Sequence, residues 1–201
     1  MRRREFEAAI AGAPSEEERL AYFGALLARE TGLGRRLVIV GGSAIEVYLT
    51  AAVYTSQDID LVGARSMIAP VLSKWGFSEE SGRSRRAYWV KDGLGAVDLV
   101  GARDRSGLPP RPWPTPYGEV MLGPIEFLIV RRLMRTVTDR DPALFRQAEA
   151  LALRYPKGLG WEYVRVLAKA ENVLPLVGQL ESRVRNRRRG LRTHGVRRRP
   201  G

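Results

Sequence analysis

Cysteine is absent from this chain, and histidine occurs once, at His194. Without cysteine, disulfides, thiolate zinc sites, iron–sulfur clusters and cysteine nucleophiles are excluded. A single histidine in an arginine-rich segment also excludes histidine-based zinc sites and Ser-His-Asp catalysis. Any chemistry must therefore rest on carboxylates, hydroxyls, arginine, lysine and backbone amides. These groups are the ones used in magnesium-dependent phosphoryl and nucleotidyl transfer.

Long hydrophobic runs are also missing. No apolar segment approaches the roughly 20 residues that cross a membrane. The N-terminal segment is positively charged but lacks the apolar region of a signal peptide. We therefore expect a soluble, cytoplasmic protein without a membrane partner.

The net charge of +12 is concentrated at the two ends of the 201-residue chain. Residues 2–4 are three arginines, and residues 183–199 contain nine more arginines and no acid. The rest of the chain balances 22 basic residues against 22 acidic ones. The C-terminal arginines predict RNA as a partner through phosphate contacts, with a solvated or protein-binding extension as the alternative.

The order of sequence patterns predicts an α/β (α+β) fold, in which a mixed sheet is flanked by helices and followed by a helical C-terminal part. Residues 87–90 and 96–100 flank an Asp-Gly turn signal and predict a hairpin. Residues 101–118 are rich in glycine and proline and predict a loop, and residues 119–122 predict a short edge strand. The predicted domains are a core over residues 1–122, a helical region over 123–182 and a basic, disordered tail over 183–201.

A Gly-Gly-Ser sequence follows the β-branched run LVIV and precedes a helical pattern. Gly41 and Gly42 permit a close backbone approach, and amides at a helix N-terminus favour an anion such as a triphosphate. Ser43 offers a hydroxyl donor and a helix cap. By itself, such a sequence is more often only a turn.

Three aspartates accompany this turn. Asp58 and Asp60 lie on a predicted strand at i and i+2, so both project from one face while Ile59 points into the core. Asp98 stands in a second apolar strand pattern, AVDLV, where an unpaired acid is costly. Carboxylates on one face form a hard-oxygen site for Mg²⁺. The alternatives are a chance Asp-x-Asp sequence and an ion pair between Asp98 and an arginine.

The combination resembles the polymerase-β-type nucleotidyltransferase superfamily, and within it the small prokaryotic branch of AbiEii-like toxins. The matching segments are VGGSAIEVY, YTSQDIDLV and GPIEFLIVRRLMRTVTDRDPALFRQAEAL, within residues 37–155. The resemblance implies nucleotide binding by Gly41, Gly42, Ser43 and Arg131. It also implies that Asp58, Asp60 and Asp98 are the catalytic residues and hold two Mg²⁺ ions.

The activity implied by this resemblance is transfer of a nucleoside monophosphate from a nucleoside triphosphate such as ATP. The acceptor would be a hydroxyl of RNA, protein or a small molecule, with Asp98 helping to deprotonate it. The resemblance also implies a possible role for this enzyme as a toxin that is paired with an antitoxin protein. The alternatives are a catalytically inactive module of this fold that binds nucleotide or RNA, and a Mg²⁺ phosphohydrolase with Asp58 as nucleophile.

Two further groups of residues allow either a structural or a functional interpretation. The basic cluster Arg83, Arg85 and Arg86 predicts either a solvated strand end or contacts to triphosphate or RNA. Trp113 and Tyr117 predict either aromatic anchors for a loop or a surface that stacks on a base.

Overall fold

The computed structural model describes residues 1–50, 58–81, 87–103 and 106–195, and the chain divides into two compact units, Met1–Pro124 and Ile125–Gly201. The helices of the first unit are α1 (Arg3–Ala11), α2 (Glu16–Thr31), α3 (Gly41–Leu49) and α4 (Arg65–Lys74). Its strands are β1 (Val38–Ile39), β2 (Asp58–Val62), β3 (Ser78–Ser81), β4 (Ala87–Lys91), β5 (Gly95–Gly101), β6 (Arg111–Thr115) and β7 (Gly118–Leu122). The second unit consists of α5 (Ile125–Thr138), α6 (Pro142–Arg154), α7 (Trp161–Ala170) and α8 (Leu174–Gly195).

Within the described part of the first unit, seven strands form one mixed sheet in the order β3-β4-β5-β2-β1-β7-β6. The β2–β5 and β1–β7 pairs are parallel, and the other neighbours are antiparallel. Helices α2, α3 and α4 pack on this sheet. The predicted fold class, a mixed α/β arrangement followed by helices, is confirmed.

The apolar face of the central strands is fixed by the two-residue period of a strand. Ile59, Val97 and Trp89 are direct neighbours across β2, β5 and β4, and all three are buried. Phe6 of α1 stacks on Trp75 with ring centroids 4.1 Å apart, and both side chains are fully buried. Because successive residues alternate between faces, the residues on either side of Ile59 and Val97 point to the opposite face.

Local sequence signals account for several features of these elements. Ser15 is the N-cap of α2, and its hydroxyl accepts a hydrogen bond from the Glu18 amide at 3.4 Å. Strands β4 and β5 form the antiparallel hairpin expected from the Asp-Gly turn. Asp141 caps α6 by accepting a hydrogen bond from the Ala143 amide at 2.8 Å.

The strand predicted over residues 119–122 is present as β7, but its predicted edge position and the predicted loop before it are wrong. The proline-rich segment expected to be a loop contains β6, which forms the edge, and β7 lies inside the sheet between β1 and β6. Pro112 and Pro114 occupy alternate positions of β6 and are exposed. Alternate residues of an edge strand direct their N–H groups away from the ladder, so two prolines fit there without breaking its pairing.

The C-terminal helix extends further than the sequence analysis expects. Helix α8 runs to Gly195, whereas the sequence predicts a disordered tail over residues 183–201. Val177, Leu180 and Val184 on one stripe of α8 are buried within the second unit. That apolar stripe gives the arginine-rich sequence a reason to be helical through packing.

No helix in the described ranges combines the length and apolar character needed to cross a bilayer.

Candidate active site

The turn between β1 and α3 is built around the carboxylate of Asp60. Helix α3 begins at Gly41, with Val40 as its N-cap, so the predicted capping role of Ser43 is wrong. Gly41 has φ of +59°, and a Cβ there would lie 2.7 Å from Asp60 Cγ and closer still to Oδ2. The Gly42 amide donates a hydrogen bond to Asp60 Oδ2 at 3.1 Å. Gly41 thus makes room for this carboxylate, and the N-terminus of the helix stabilises its charge.

Ser43 ties the same turn to the backbone of β2. Its side chain is fully buried, and its hydroxyl donates to the Val40 carbonyl at 3.0 Å and accepts from the Asp60 amide at 3.1 Å. The Val40 amide in turn donates to the Asp60 carbonyl at 2.9 Å. In this arrangement the hydroxyl of Ser43 positions Asp60, a role that the sequence analysis did not predict.

The sheet register places the three predicted acids on one face. In the parallel β2–β5 pair, Asp60 lies directly opposite Asp98, and Asp58 lies opposite Ala96. Adjacent strands are about 4.8 Å apart, so the backbones of Asp60 and Asp98 are within reach of a bridging group. Asp58 is exposed, whereas Asp60 and Asp98 are half-buried.

The row of polar residues continues across two further strands. Tyr88 on β4 lies opposite Asp98, and Glu80 on β3 lies opposite Tyr88. The Tyr88 hydroxyl donates to Glu80 Oε2 at 2.9 Å, and this hydrogen bond raises the pKa of Tyr88 above its ordinary value. Sequence reasoning missed Glu80 and the place of Tyr88 in this row, because only the strand register shows that they continue the row of acids.

The donor chemistry and the backbone spacing of Asp58, Asp60 and Asp98 fit a hard divalent cation such as Mg²⁺. Their side-chain positions do not complete such a site. Among the described residues, no group of three or more His, Cys, Asp or Glu side chains is arranged to hold a metal ion.

The remaining predicted residues lie elsewhere or outside the described part. Arg131 belongs to α5 of the second unit, where it is exposed and donates to the Met134 sulfur at 3.6 Å. The cluster Arg83, Arg85 and Arg86 lies outside the described residues.

The aromatic residues of the proline-rich segment contact the body of the first unit. Trp113 packs edge-to-face on Tyr48 with centroids 6.0 Å apart, and Tyr117 packs similarly on Tyr22 at 5.2 Å. Both contacts agree with the interpretation of these side chains as anchors.

Similarity to known proteins is found at the level of structure. No family model matches the chain, and no curated protein matches it. The chain is similar in structure to the antibiotic-resistance factor ANT(2'')-Ia, whose solution structure matches with a TM-score of 0.46 and 18% sequence identity. The match covers 85% of this chain and 96% of that one. The AbiEii-like branch stays a prediction.

Proposed function

We propose that this chain is a Mg²⁺-dependent nucleotidyltransferase that moves a nucleoside monophosphate from a nucleoside triphosphate to a hydroxyl acceptor. The observation that carries the proposal is the shared face of Asp58, Asp60 and Asp98, two of them direct neighbours in the β2–β5 register. The turn at Gly41, Gly42 and Ser43 supports it, because this turn fixes the carboxylate of Asp60.

Each acidic residue has a distinct part in the proposed reaction. Asp58, Asp60 and Asp98 would hold the two Mg²⁺ ions, which when bound neutralise phosphate charge and lower the pKa of the acceptor hydroxyl. Asp98 accepts the proton of that hydroxyl. The acceptor oxygen then bonds to the α-phosphorus, the bond from that phosphorus to the bridging oxygen breaks, and pyrophosphate leaves.

The acceptor class and the biological role are finer parts of the proposal. An RNA end, a protein side chain and a small molecule all offer the required hydroxyl. A toxin that acts in the cytoplasm with an antitoxin partner is consistent with the motif resemblance, and ATP is the triphosphate to test first.

A second candidate is a catalytically inactive module that binds nucleotide or RNA. Two observations favour it: the described acids form no metal-binding group of three, and the Gly42 amide is occupied by Asp60 Oδ2. In that case the polar face would bind a nucleotide without transferring it.

The test compares wild-type protein with Asp60→Asn, using each α-labelled nucleoside triphosphate, Mg²⁺, and total RNA or protein as acceptor. We expect transfer to fall by about 100-fold or more in Asp60→Asn, since charge stabilisation at such sites contributes about 3 kcal/mol or more. The fold should persist, because asparagine retains an oxygen that accepts from the Gly42 amide. Asp92→Asn, in the exposed β4–β5 turn, is the matched control and should keep wild-type activity.

The outcomes separate the two candidates. Mg²⁺-dependent triphosphate binding without transfer to any acceptor supports the inactive module. Wild-type transfer rates in Asp60→Asn would show that this face does not carry the activity.

A further inference from the structure

A basic groove lies within the second unit, between α7 and α8. Its volume is about 400 Å³, which is in the range of pockets that bind small ligands or single nucleotide units. The polar and aromatic side chains that line it are Trp161, Arg165, Glu181, Arg185, Arg188 and Arg189. We infer that this groove binds a single strand of nucleic acid, with arginines on the phosphates and Trp161 against a base.

The charge of the lining favours a polyanion. Four arginines and one acid line the groove. That acid, Glu181, forms an ion pair with Arg165 at 2.8 Å, and together they contribute no net charge. Arg185 and Arg188 from α8 therefore give the groove an excess of positive charge in a concave space. Such an excess attracts phosphates and releases counterions when they bind.

The helical spacing of α8 separates these arginines from those that have a structural role. Arg183 and Arg187, four residues apart, form ion pairs with the buried Glu149 of α6 at 3.8 and 2.8 Å. Arg185 and Arg188 stand on another side of the helix, with Arg189 beside them, and line the groove. The packing of α6 on α8 thus accounts for the first pair, whereas Arg185, Arg188 and Arg189 line the groove.

Trp161 favours a nucleic acid over other polyanions as the ligand of this groove. Trp161 is half-buried at the start of α7, so part of its indole faces the groove. A planar aromatic beside arginines is the combination with which proteins bind single-stranded nucleic acid without strong sequence preference. A purely electrostatic site for a phosphorylated small molecule would not require this ring.

This inference does not rest on the proposed nucleotidyl transfer, because it concerns binding by the second unit. It is tested without triphosphate or Mg²⁺. The full-length protein is titrated into a fluorescein-labelled 12-nucleotide oligouridine, and anisotropy is measured over a range of salt concentrations. A matched oligothymidine distinguishes RNA from DNA, and unlabelled inorganic polyphosphate competes for phosphate contacts alone.

The double variant Arg185→Gln, Arg188→Gln should weaken binding and make the log–log salt slope less steep by about 1.4, that is, about 0.7 for each lost phosphate contact. The matched control is Arg146→Gln, Arg154→Gln, which removes the same charge from exposed positions of α6 outside the groove. It should keep the wild-type slope.

Trp161→Leu should weaken binding about tenfold at every salt concentration and leave the slope unchanged, because stacking involves no counterion release. Polyphosphate should compete less well than the oligonucleotides. Replacing Arg192, Arg197, Arg198 and Arg199 by glutamine measures the contribution of the C-terminal arginines to the same slope.

Three results would overturn the inference. The first is wild-type protein that binds neither oligonucleotide. The second is a groove double variant that keeps the wild-type affinity and slope. The third is binding lost only when the four C-terminal arginines are replaced, with the groove variants unaffected.

Discussion

At the residue scale, the candidate site depends on the contact between a glycine and a carboxylate. Gly41 combines a left-handed φ of +59° with a position where any Cβ would meet Asp60. The adjacent amide of Gly42 then holds Asp60 Oδ2. The glycine therefore has two separable reasons to be glycine, backbone conformation and space for the acid.

Gly41→Ala should destabilise the protein more than the left-handed conformation alone explains. Gly32, the C-cap of α2, has φ of +66° but nothing within 4 Å of an added Cβ, so Gly32→Ala is the matched control. We expect about 1–2 kcal/mol from Gly32→Ala through backbone strain, and a further 1–3 kcal/mol or so from Gly41→Ala through the clash. Urea denaturation of the two variants measures the difference. Equal losses of stability would show that the Gly41–Asp60 contact is not tight.

At the element scale, a buried lysine joins α1, α4 and β4. Lys91 is buried, and its ammonium donates to Glu7 Oε1 at 2.7 Å and to the Trp75 carbonyl at 3.0 Å. Arg3 also donates a hydrogen bond to Glu7. The hydrogen bond from Lys91, and after it the one from Arg3, lowers the pKa of Glu7 from 4.5 to about 2. A carboxyl whose pKa is lower in the folded state stabilises that state wherever it is ionised.

The stabilisation by Glu7 should therefore be complete above about pH 4.5 and should disappear as the pH falls through about 2. The melting temperature of Glu7→Gln should be lower than wild type at pH 7, and the two should converge towards pH 2. Glu119→Gln, which removes an exposed ion pair with Arg35 at 3.5 Å, should melt like wild type throughout, because surface pairs contribute little. A difference between wild type and Glu7→Gln that does not vary with pH would contradict this assignment.

At the scale of the whole molecule, the distribution of the +12 charge matters more than its size. Five arginines of α8 divide into two sets with different surroundings. Arg183 and Arg187 compensate the buried charge of Glu149, whereas Arg185, Arg188 and Arg189 line the groove. Removing the chain from Arg183 onwards would thus also remove the buried Val184 and expose the core of the second unit.

Two neighbouring substitutions should separate these functions. Arg187→Gln should lower stability by about 1–3 kcal/mol, since a buried carboxylate loses one of its two partners, while oligonucleotide affinity stays the same. Arg188→Gln removes the same charge from the adjacent position. It should weaken oligonucleotide binding and leave stability unchanged. Thermal denaturation and anisotropy on both variants are the measurements. If both variants behave alike, the division of α8 into two faces is incorrect.

The features that were predicted correctly from the sequence depend on residues that are close together in the chain. The β4–β5 hairpin and the shared face of Asp58 and Asp60 both arise from neighbours within a few positions. Strand β6 was missed because proline disfavours strands in general, and only its place at the edge of the sheet makes Pro112 and Pro114 acceptable.

The sequence by itself determined the alternation of apolar and acidic residues along β2 and β5, the glycine turn before α3 and the position of the excess charge. It could not determine that Asp98 lies opposite Asp60, that Ser43 and Gly42 bind Asp60, or that Glu149 engages two arginines of α8. Local patterns follow from the fixed periods of strands and helices. The Asp60–Asp98 pairing and the Glu149–Arg187 ion pair each join residues 38 positions apart, and only the packing of the whole unit selects among the many pairings that the same residues allow.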